Sequence, residues 1–369
     1  MREYSSPAKA EISDDARLTD TLYARAASEP NAVAARRLES GQWRDVTVAE
    51  LHGDITAYAK ALINAGVAHG DRVALMSRTR YEWTVVDYAI WSVGGITVPI
   101  YETSSAEQIA WILSDSGAKA AFVETDAHAE RVEAVRSSSP DLAHVWRFDG
   151  DDLAALRSTG ADVDDATAEE RRTAVKVDDM ATLIYTSGTT GRPKGCQLTH
   201  RNFLFISHAA LEGPTKQVLT HAADPSTLLF LPLAHVFARF VQVIVIESKA
   251  VLGHFTSTGP ELIDQFGVFK PTFILAVPRV FEKVFTKAEQ KATAEGKGRI
   301  FNAAANTAID YSKALSTGQV PFGLKVRHAV FKKLVYGKLM DRLGGRCRYA
   351  VSGGSALATA SGTSSAALA

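Results

Sequence analysis

Tyr185-Thr186-Ser187-Gly188-Thr189-Thr190-Gly191-Arg192-Pro193-Lys194-Gly195 is the stretch from which the rest of the sequence can be read. Before it, residues 181–185 form a short apolar run that predicts a buried strand. After it, residues 196–198 read as extended, and Thr199 is placed to cap a helix that begins near His200 and stops at Gly213-Pro214. The stretch is therefore a loop at a strand end, where open α/β sheets place their ligands.

Its composition suits a polyphosphate. Gly188 and Gly191 let the backbone approach a ligand closely. Successive N–H groups in such a loop can form an anion-binding nest. Thr186, Ser187, Thr189 and Thr190 add hydroxyl donors that rotate toward phosphate oxygens, and Lys194 adds a full positive charge. Pro193 stiffens the chain beside that lysine. A plain solvated surface loop has a similar composition, but without a lysine set between proline and glycine directly after a strand. A Walker loop needs Gly-Lys-Ser/Thr opening a helix, whereas Lys194 is followed by Gly195-Cys196 and a continuing strand.

Outward from the loop, strands and helices alternate. Residues 34–38 and 42–46 predict a hairpin, Thr47 and Glu50 a capping box, and 51–62 an amphipathic helix ending near Gly66. Strands at 72–76, 96–100 and 118–124 are separated by helices at 80–93 and 106–116. The segment 151–173, acidic and alanine-rich, reads as an exposed helix and linker. Beyond the loop follow a strand at 227–233, an apolar core helix at 236–247, strands at 250–255 and 271–277, helices at 278–292, 299–315 and 324–343, and a last apolar strand at 346–351. The pattern predicts an α/β fold with doubly wound, mainly parallel sheets. Four regions are expected: a loose N-terminus at 1–17, α/β subdomains at 18–175 and 176–357, and a disordered low-complexity tail at 358–369.

Composition narrows the function class. With 41 basic and 41 acidic residues in 369, net charge points to no nucleic-acid partner. Two cysteines, Cys196 and Cys347, make no disulfide framework and fit a reducing cytoplasm. The N-terminus reads as no signal peptide, and no apolar run is long enough to span a bilayer.

The ten residues from Thr186 to Gly195 resemble the signature of the adenylate-forming, AMP-binding superfamily. Gly70-Asp71-Arg72-Val73 and the order of the segments around it are similar to the first part of the acyl-CoA synthetases. Leu231-Pro232-Leu233-Ala234-His235-Val236 resembles the family's second signature, placed by the sequence at a strand end. Pro278-Arg279-Val280-Phe281-Glu282-Lys283 and the helical insert at 299–343 resemble the long-chain fatty acyl branch, and Val351-Ser352-Gly353-Gly354-Ser355-Ala356-Leu357 resembles the turn beside adenine and the acyl chain.

The resemblance implies a long-chain fatty acid–CoA ligase using ATP, Mg2+ and coenzyme A, with ATP and a fatty acid as its partners. Lys194 and His235 would be catalytic; Thr186, Ser187, Gly188, Thr189, Thr190, Gly191, Lys194, Gly353, Gly354 and Ser355 would bind nucleotide. No metal ligand is assigned within the sequence. Some family members carry a gating tryptophan four residues past the histidine; here that position is Arg239, which leaves Phe237 as the candidate gate. A cytoplasmic site is implied, with peripheral membrane association left open and no oligomeric state assigned. The resemblance stops at Leu357, before the family's Tyr-Gly-x-Thr-Glu segment, so the chain reads as a ligase truncated within its N-terminal domain and is not expected to make acyl-CoA by itself. A non-catalytic nucleotide- or acyl-binding fragment is the second reading, and an unrelated phosphate-binding α/β domain such as a kinase the third.

Overall fold

Strands β1 (Val33–Glu39) and β2 (Gln42–Thr47) form the first hairpin, joined by Ser40 and Gly41 at φ of 49° and 80°. Two consecutive positive-φ residues give the turn a twist that matches the flanking strands. The computed structural model describes residues 10–186, 192–213, 215–259 and 261–355. The loop positions Ser187, Gly188, Thr189, Thr190 and Gly191 and the tail at 358–369 lie outside the described residues.

The chain divides into two compact units, residues 1–217 with 229–256, and residues 218–228 with 257–369. In the first, β3 (Arg72–Met76), β4 (Ile96–Ile100), β5 (Ala120–Val123), β6 (His144–Arg147), β7 (Met180–Thr186) and β8 (Lys194–Thr199) make a six-stranded sheet ordered β6-β5-β3-β4-β7-β8. All neighbouring pairs are parallel except β7 with β8, which form an antiparallel hairpin. β4 and β5 are buried at every position, so they read as continuous apolar runs rather than alternating ones. β7 and β8 complete this sheet from beyond residue 175, so the unit does not follow the sequence boundary at 175/176.

Local signals set the helix ends. Thr47 and Glu50 close a capping box on the helix Val48–Asn64, and Ser105 with Gln108 does the same for Ala106–Ser116, which Gly117 ends at φ 61°. The segment read as an exposed helix and linker is two helices, Asp152–Thr159 and Asp165–Ala174, and it is not wholly exposed: it buries Leu153, Leu156, Ala168 and Arg172. Arg172 is ordered by ion pairs to Asp20 at 2.6 Å and Glu169 at 2.7 Å.

β9 (Ser226–Leu229) is shorter than the sequence predicts, and β10 (Val251–His254) pairs in parallel with β1. Pro232 lacks the N–H that a continuing ladder needs, and its carbonyl accepts from His235 N–H at 3.0 Å in a turn. The helix Val236–Glu247 then begins; it buries Ala238, Arg239 and Val241 through Ile246, the core helix expected.

In the second unit, β11 (Phe273–Ala276) pairs in parallel with β12 (Tyr349–Ser352), from Phe273 opposite Tyr349 to Ala276 opposite Ser352. β12, the last apolar strand expected, is shorter than the sequence predicts and half-exposed. The single helix expected at 324–343 is Phe322–Phe331 and Gly337–Arg342 joined by a π-helical turn, Lys332–Tyr336. That turn carries Tyr336 into a small core with Ala304 and Ala308, where its hydroxyl donates to Ala304 O at 2.7 Å.

Candidate active site

Thr186 and Lys194 are directly opposite each other as the last pair of the β7–β8 hairpin. Side chains at opposed positions of an antiparallel pair share one face, with Cβ atoms about 4.5–5.5 Å apart. The ladder thus sets a hydroxyl and an ammonium side by side at the mouth of the glycine- and hydroxyl-rich loop. Both residues are exposed, and no described carboxylate pairs with Lys194. An unpaired cation beside a hydroxyl at the open end of a hairpin can hold a multiply charged anion.

One pair further in, Tyr185 lies opposite Gly195. A side chain at Gly195 would stand 2.8 Å from Leu183 Cδ1 and 3.3 Å from Tyr185 Cζ. A side chain there would push Leu183 aside and crowd the Tyr185 ring, and glycine avoids both.

His235 is the N-cap of the helix Val236–Glu247: its Nδ1 accepts from Phe237 N–H at 3.2 Å. A ring nitrogen that accepts carries no proton, so the neutral imidazole holds its proton on Nε2 and offers it as a donor from an exposed side chain. The strand-end placement read from the sequence is replaced by this cap position, since β9 ends at Leu229.

Arg239, one helical turn on, has no exposure and cannot act as a surface gate. Its Nη2 donates to both carboxylate oxygens of Asp87, at 2.7 and 2.9 Å, and its Nη1 to Thr182 Oγ1 at 2.8 Å. Thr97 Oγ1 and Gln242 Nε2 donate to the same carboxylate at 2.7 and 2.8 Å. Trp83 and Trp91 pack on the guanidinium at 5.0 and 5.2 Å from their ring centres. Desolvation pushes the Asp87 carboxyl up from its ordinary value, and Arg239 with the surrounding donors opposes that push. The network ties the helix that begins at His235 to β4, to β7 and to the helix Tyr81–Ser92, and so fixes where His235 stands. Sequence reasoning treated Arg239 only as a missing gate and did not single out Asp87.

In the second unit, Gly353, Gly354 and Ser355 follow β12 directly. Gly353 N–H donates to Ala276 O at 3.0 Å, and Gly354 takes φ 80°, a turn that glycine adopts without strain. Among the described residues no cluster of three or more His, Cys, Asp or Glu is placed to hold a metal ion. A cavity of about 1040 Å³ in the first unit, lined by Tyr23, His52, Lys60, Arg157 and Arg172 among others, contains none of the residues singled out from the sequence. Its cations are already neutralised, Lys60 by Asp165 at 2.6 Å and Arg157 by Asp54 at 2.5 Å, so it offers no free charge to a phosphate.

The hairpin thus closes one edge of a six-stranded, mainly parallel α/β sheet, and His235 caps the core helix Val236–Glu247 in the same unit. The chain belongs to the AMP-binding enzyme family, whose sequence profile matches residues 22–364. It is 48% identical over 361 residues to the long-chain-fatty-acid–CoA ligase FadD15 of Mycobacterium bovis, a match covering 97% of this chain and 59% of that protein. It is 29% identical over 330 residues to the peroxisomal long chain acyl-CoA synthetase 6 of Arabidopsis thaliana, covering 86% of this chain and 45% of that one. Among solved structures, a long-chain-fatty-acid-CoA ligase (FadD1) from Archaeoglobus fulgidus superposes with a TM-score of 0.65 at 21% identity, over 78% of this chain and 57% of that one. The inhibitor-bound N-terminal domain of FACL13 from Mycobacterium tuberculosis gives 0.60 at 25% identity, over 72% and 64%. The chain thus spans 59% of the length of the FadD15 relatives it matches.

Proposed function

We propose that the chain carries the ATP-dependent, acid-activating part of a long-chain fatty acid–CoA ligase, whose full reaction passes the activated acid to coenzyme A. A carboxylate oxygen attacks the α-phosphorus, the bond to the departing pyrophosphate breaks, and an acyl-adenylate results. The coenzyme A thiolate then attacks the acyl carbon and AMP leaves. The observation that carries this reading is the Thr186–Lys194 pair closing a hairpin whose loop is rich in glycine and hydroxyls. The names of the relatives supply the substrate class.

In nucleotidyl transfer the protein's part is mostly positioning and charge stabilisation. Thr186, Ser187, Gly188, Thr189, Thr190 and Gly191 hold the β- and γ-phosphates. Lys194 stabilises the charge that builds on the departing pyrophosphate. The Nε2–H of His235 donates to the fatty-acid carboxylate and orients it, with Phe237 beside it as the gate. Gly353, Gly354 and Ser355 give adenine and the acyl chain a bare backbone to lie against. Mg2+ would arrive with ATP; the described residues form no cluster for it, and no step is assigned to it. A cytoplasmic enzyme that meets its fatty acid at a membrane surface is the setting this reading implies; no helix among the described residues is long and apolar enough to cross a membrane.

The test supplies ATP, Mg2+ and palmitate and follows pyrophosphate. Release that requires the long-chain acid and falls by about one to two decades in Lys194→Ala supports the reading, a loss equal to roughly 1.5–3 kcal/mol for one charge-assisted contact. Release that ignores the acid, or that is unchanged in Lys194→Ala, removes the loop from the mechanism.

A further inference from the structure

The helix Ala106–Ser116 carries two side chains one turn apart that grip the two stems of the phosphate loop. On the entry side, the Tyr185 hydroxyl donates to Asp115 Oδ2 at 2.6 Å. On the exit side, Trp111 Nε1–H donates to the carbonyl of Pro193 at 2.8 Å, and the Arg192 guanidinium lies over the Trp111 ring at 4.7 Å. Residues four apart on a helix lie on one face, so one rigid element holds both ends of the loop.

The helix is well fixed for this task. Its N-terminus is closed by the Ser105–Gln108 capping box and its C-terminus by Gly117. Ile109, Ile112 and Leu113 on its inner side are buried in the core formed with β3, β4 and β5, and Trp111 packs against the same core. The Tyr185 contact depends on Gly195, because a side chain there would collide with Leu183 and crowd the tyrosine ring. Burial and the Asp115 carboxylate push the Tyr185 hydroxyl above its ordinary value, so it stays protonated and remains a donor.

We propose that Trp111 and Asp115 are positioning residues for the triphosphate: they brace the hairpin mouth, whose ladder already sets Thr186 opposite Lys194, against the helix Ala106–Ser116 and so fix its direction, without touching the ligand. This rests on the reading of the loop as the phosphate site. The physical reason is entropic. A hairpin mouth that can swing against the sheet must be fixed when the anion binds, whereas one braced from outside its own ladder loses less freedom. The clamp therefore acts on phosphates held by the loop and leaves adenosine contacts elsewhere unaffected.

The experiment titrates ATP and AMP separately against the wild-type chain and against Lys194→Ala, Trp111→Phe, Tyr185→Phe, Asp115→Ala and Asp115→Asn. Trp111→Phe keeps an aromatic ring for Arg192 and the core but removes the N–H. Asp115→Asn keeps an oxygen acceptor for Tyr185, and Asp115→Ala does not. The expected result is ATP affinity weakened roughly two- to ten-fold in Trp111→Phe, Tyr185→Phe and Asp115→Ala, the range for loss of one hydrogen bond, with AMP affinity unchanged and Asp115→Asn close to wild type. Equal losses for ATP and AMP would show general destabilisation and overturn the clamp, as would wild-type ATP affinity in Trp111→Phe and Tyr185→Phe while Lys194→Ala loses it. If Lys194→Ala itself binds ATP like wild type, the phosphate-loop reading fails and the clamp falls with it. Should Trp111→Phe not fold, the Tyr185 and Asp115 variants decide.

Discussion

Arg239 and Asp87 form a two-pronged ion pair with no solvent exposure on either side chain, 152 residues apart in sequence. Removing one partner leaves the other charged, buried and unpaired, which costs about 3–5 kcal/mol. Arg239→Met and Asp87→Ala should each lower stability by about that amount in urea unfolding. Arg239→Trp, which restores the gating residue of some family members, should destabilise similarly because Asp87 is again abandoned. A change below about 1 kcal/mol in these variants would mean that the network does not order the helix behind His235.

His235 has two separable jobs. As an N-cap it satisfies a backbone donor, and loss of such a cap costs about 1 kcal/mol. Through Nε2–H it is proposed to orient the carboxylate. His235→Ala should lose both stability and fatty-acid affinity, while His235→Ser should regain the cap but not the affinity. Titration with palmitate, alongside ATP as the control, checks this. Weaker ATP binding with unchanged palmitate binding would place His235 elsewhere in the site.

Two buried histidines make stability depend on pH. His200 accepts from Leu18 N–H at 3.3 Å on Nδ1, and His254 Nε2 bonds to Thr84 Oγ1 at 2.7 Å. Burial pushes each down to about 4 from an ordinary value near 6.5. Between those values the unfolded chain binds more protons, so stability is complete above about pH 6.5 and is lost as pH falls toward 4. Each histidine contributes a slope of up to about 1.4 kcal/mol per pH unit in that window. Urea midpoints at pH 7.5, 6 and 5 should fall, and His200→Gln should flatten the trend. A midpoint constant from pH 7.5 to 5 would contradict the assignment.

Much of the fold is legible in the sequence because its signals are local. The hairpin at Ser40-Gly41, the capping box of Thr47 and Glu50, and the helix stop at Gly117 are each set by a few neighbouring residues. The strand before the phosphate-type loop and the extended segment after it are legible too, but the antiparallel register that sets Thr186 opposite Lys194 is not. What the sequence does not disclose is set by distant partners. Arg172 looks like a charge on an exposed segment until Asp20, far upstream, is found beside it. Arg239 reads as a missing gate until Asp87 and Thr182 surround it. Trp111 and Asp115 fit an ordinary amphipathic helix, and only the folded sheet brings Tyr185 and Pro193 to them. The π turn at Lys332–Tyr336 is likewise associated with a tertiary contact, the hydrogen bond from the Tyr336 hydroxyl to Ala304 O, that periodicity does not register.

The central claim is that the hairpin mouth formed by Thr186 and Lys194 binds a triphosphate, and equilibrium titration of the chain with ATP and with AMP tests it most directly. The account predicts tighter binding of ATP than of AMP in the wild type, and a loss of about ten- to a hundred-fold in ATP affinity alone in Lys194→Ala. Equal affinity for ATP in the wild type and in Lys194→Ala would contradict it.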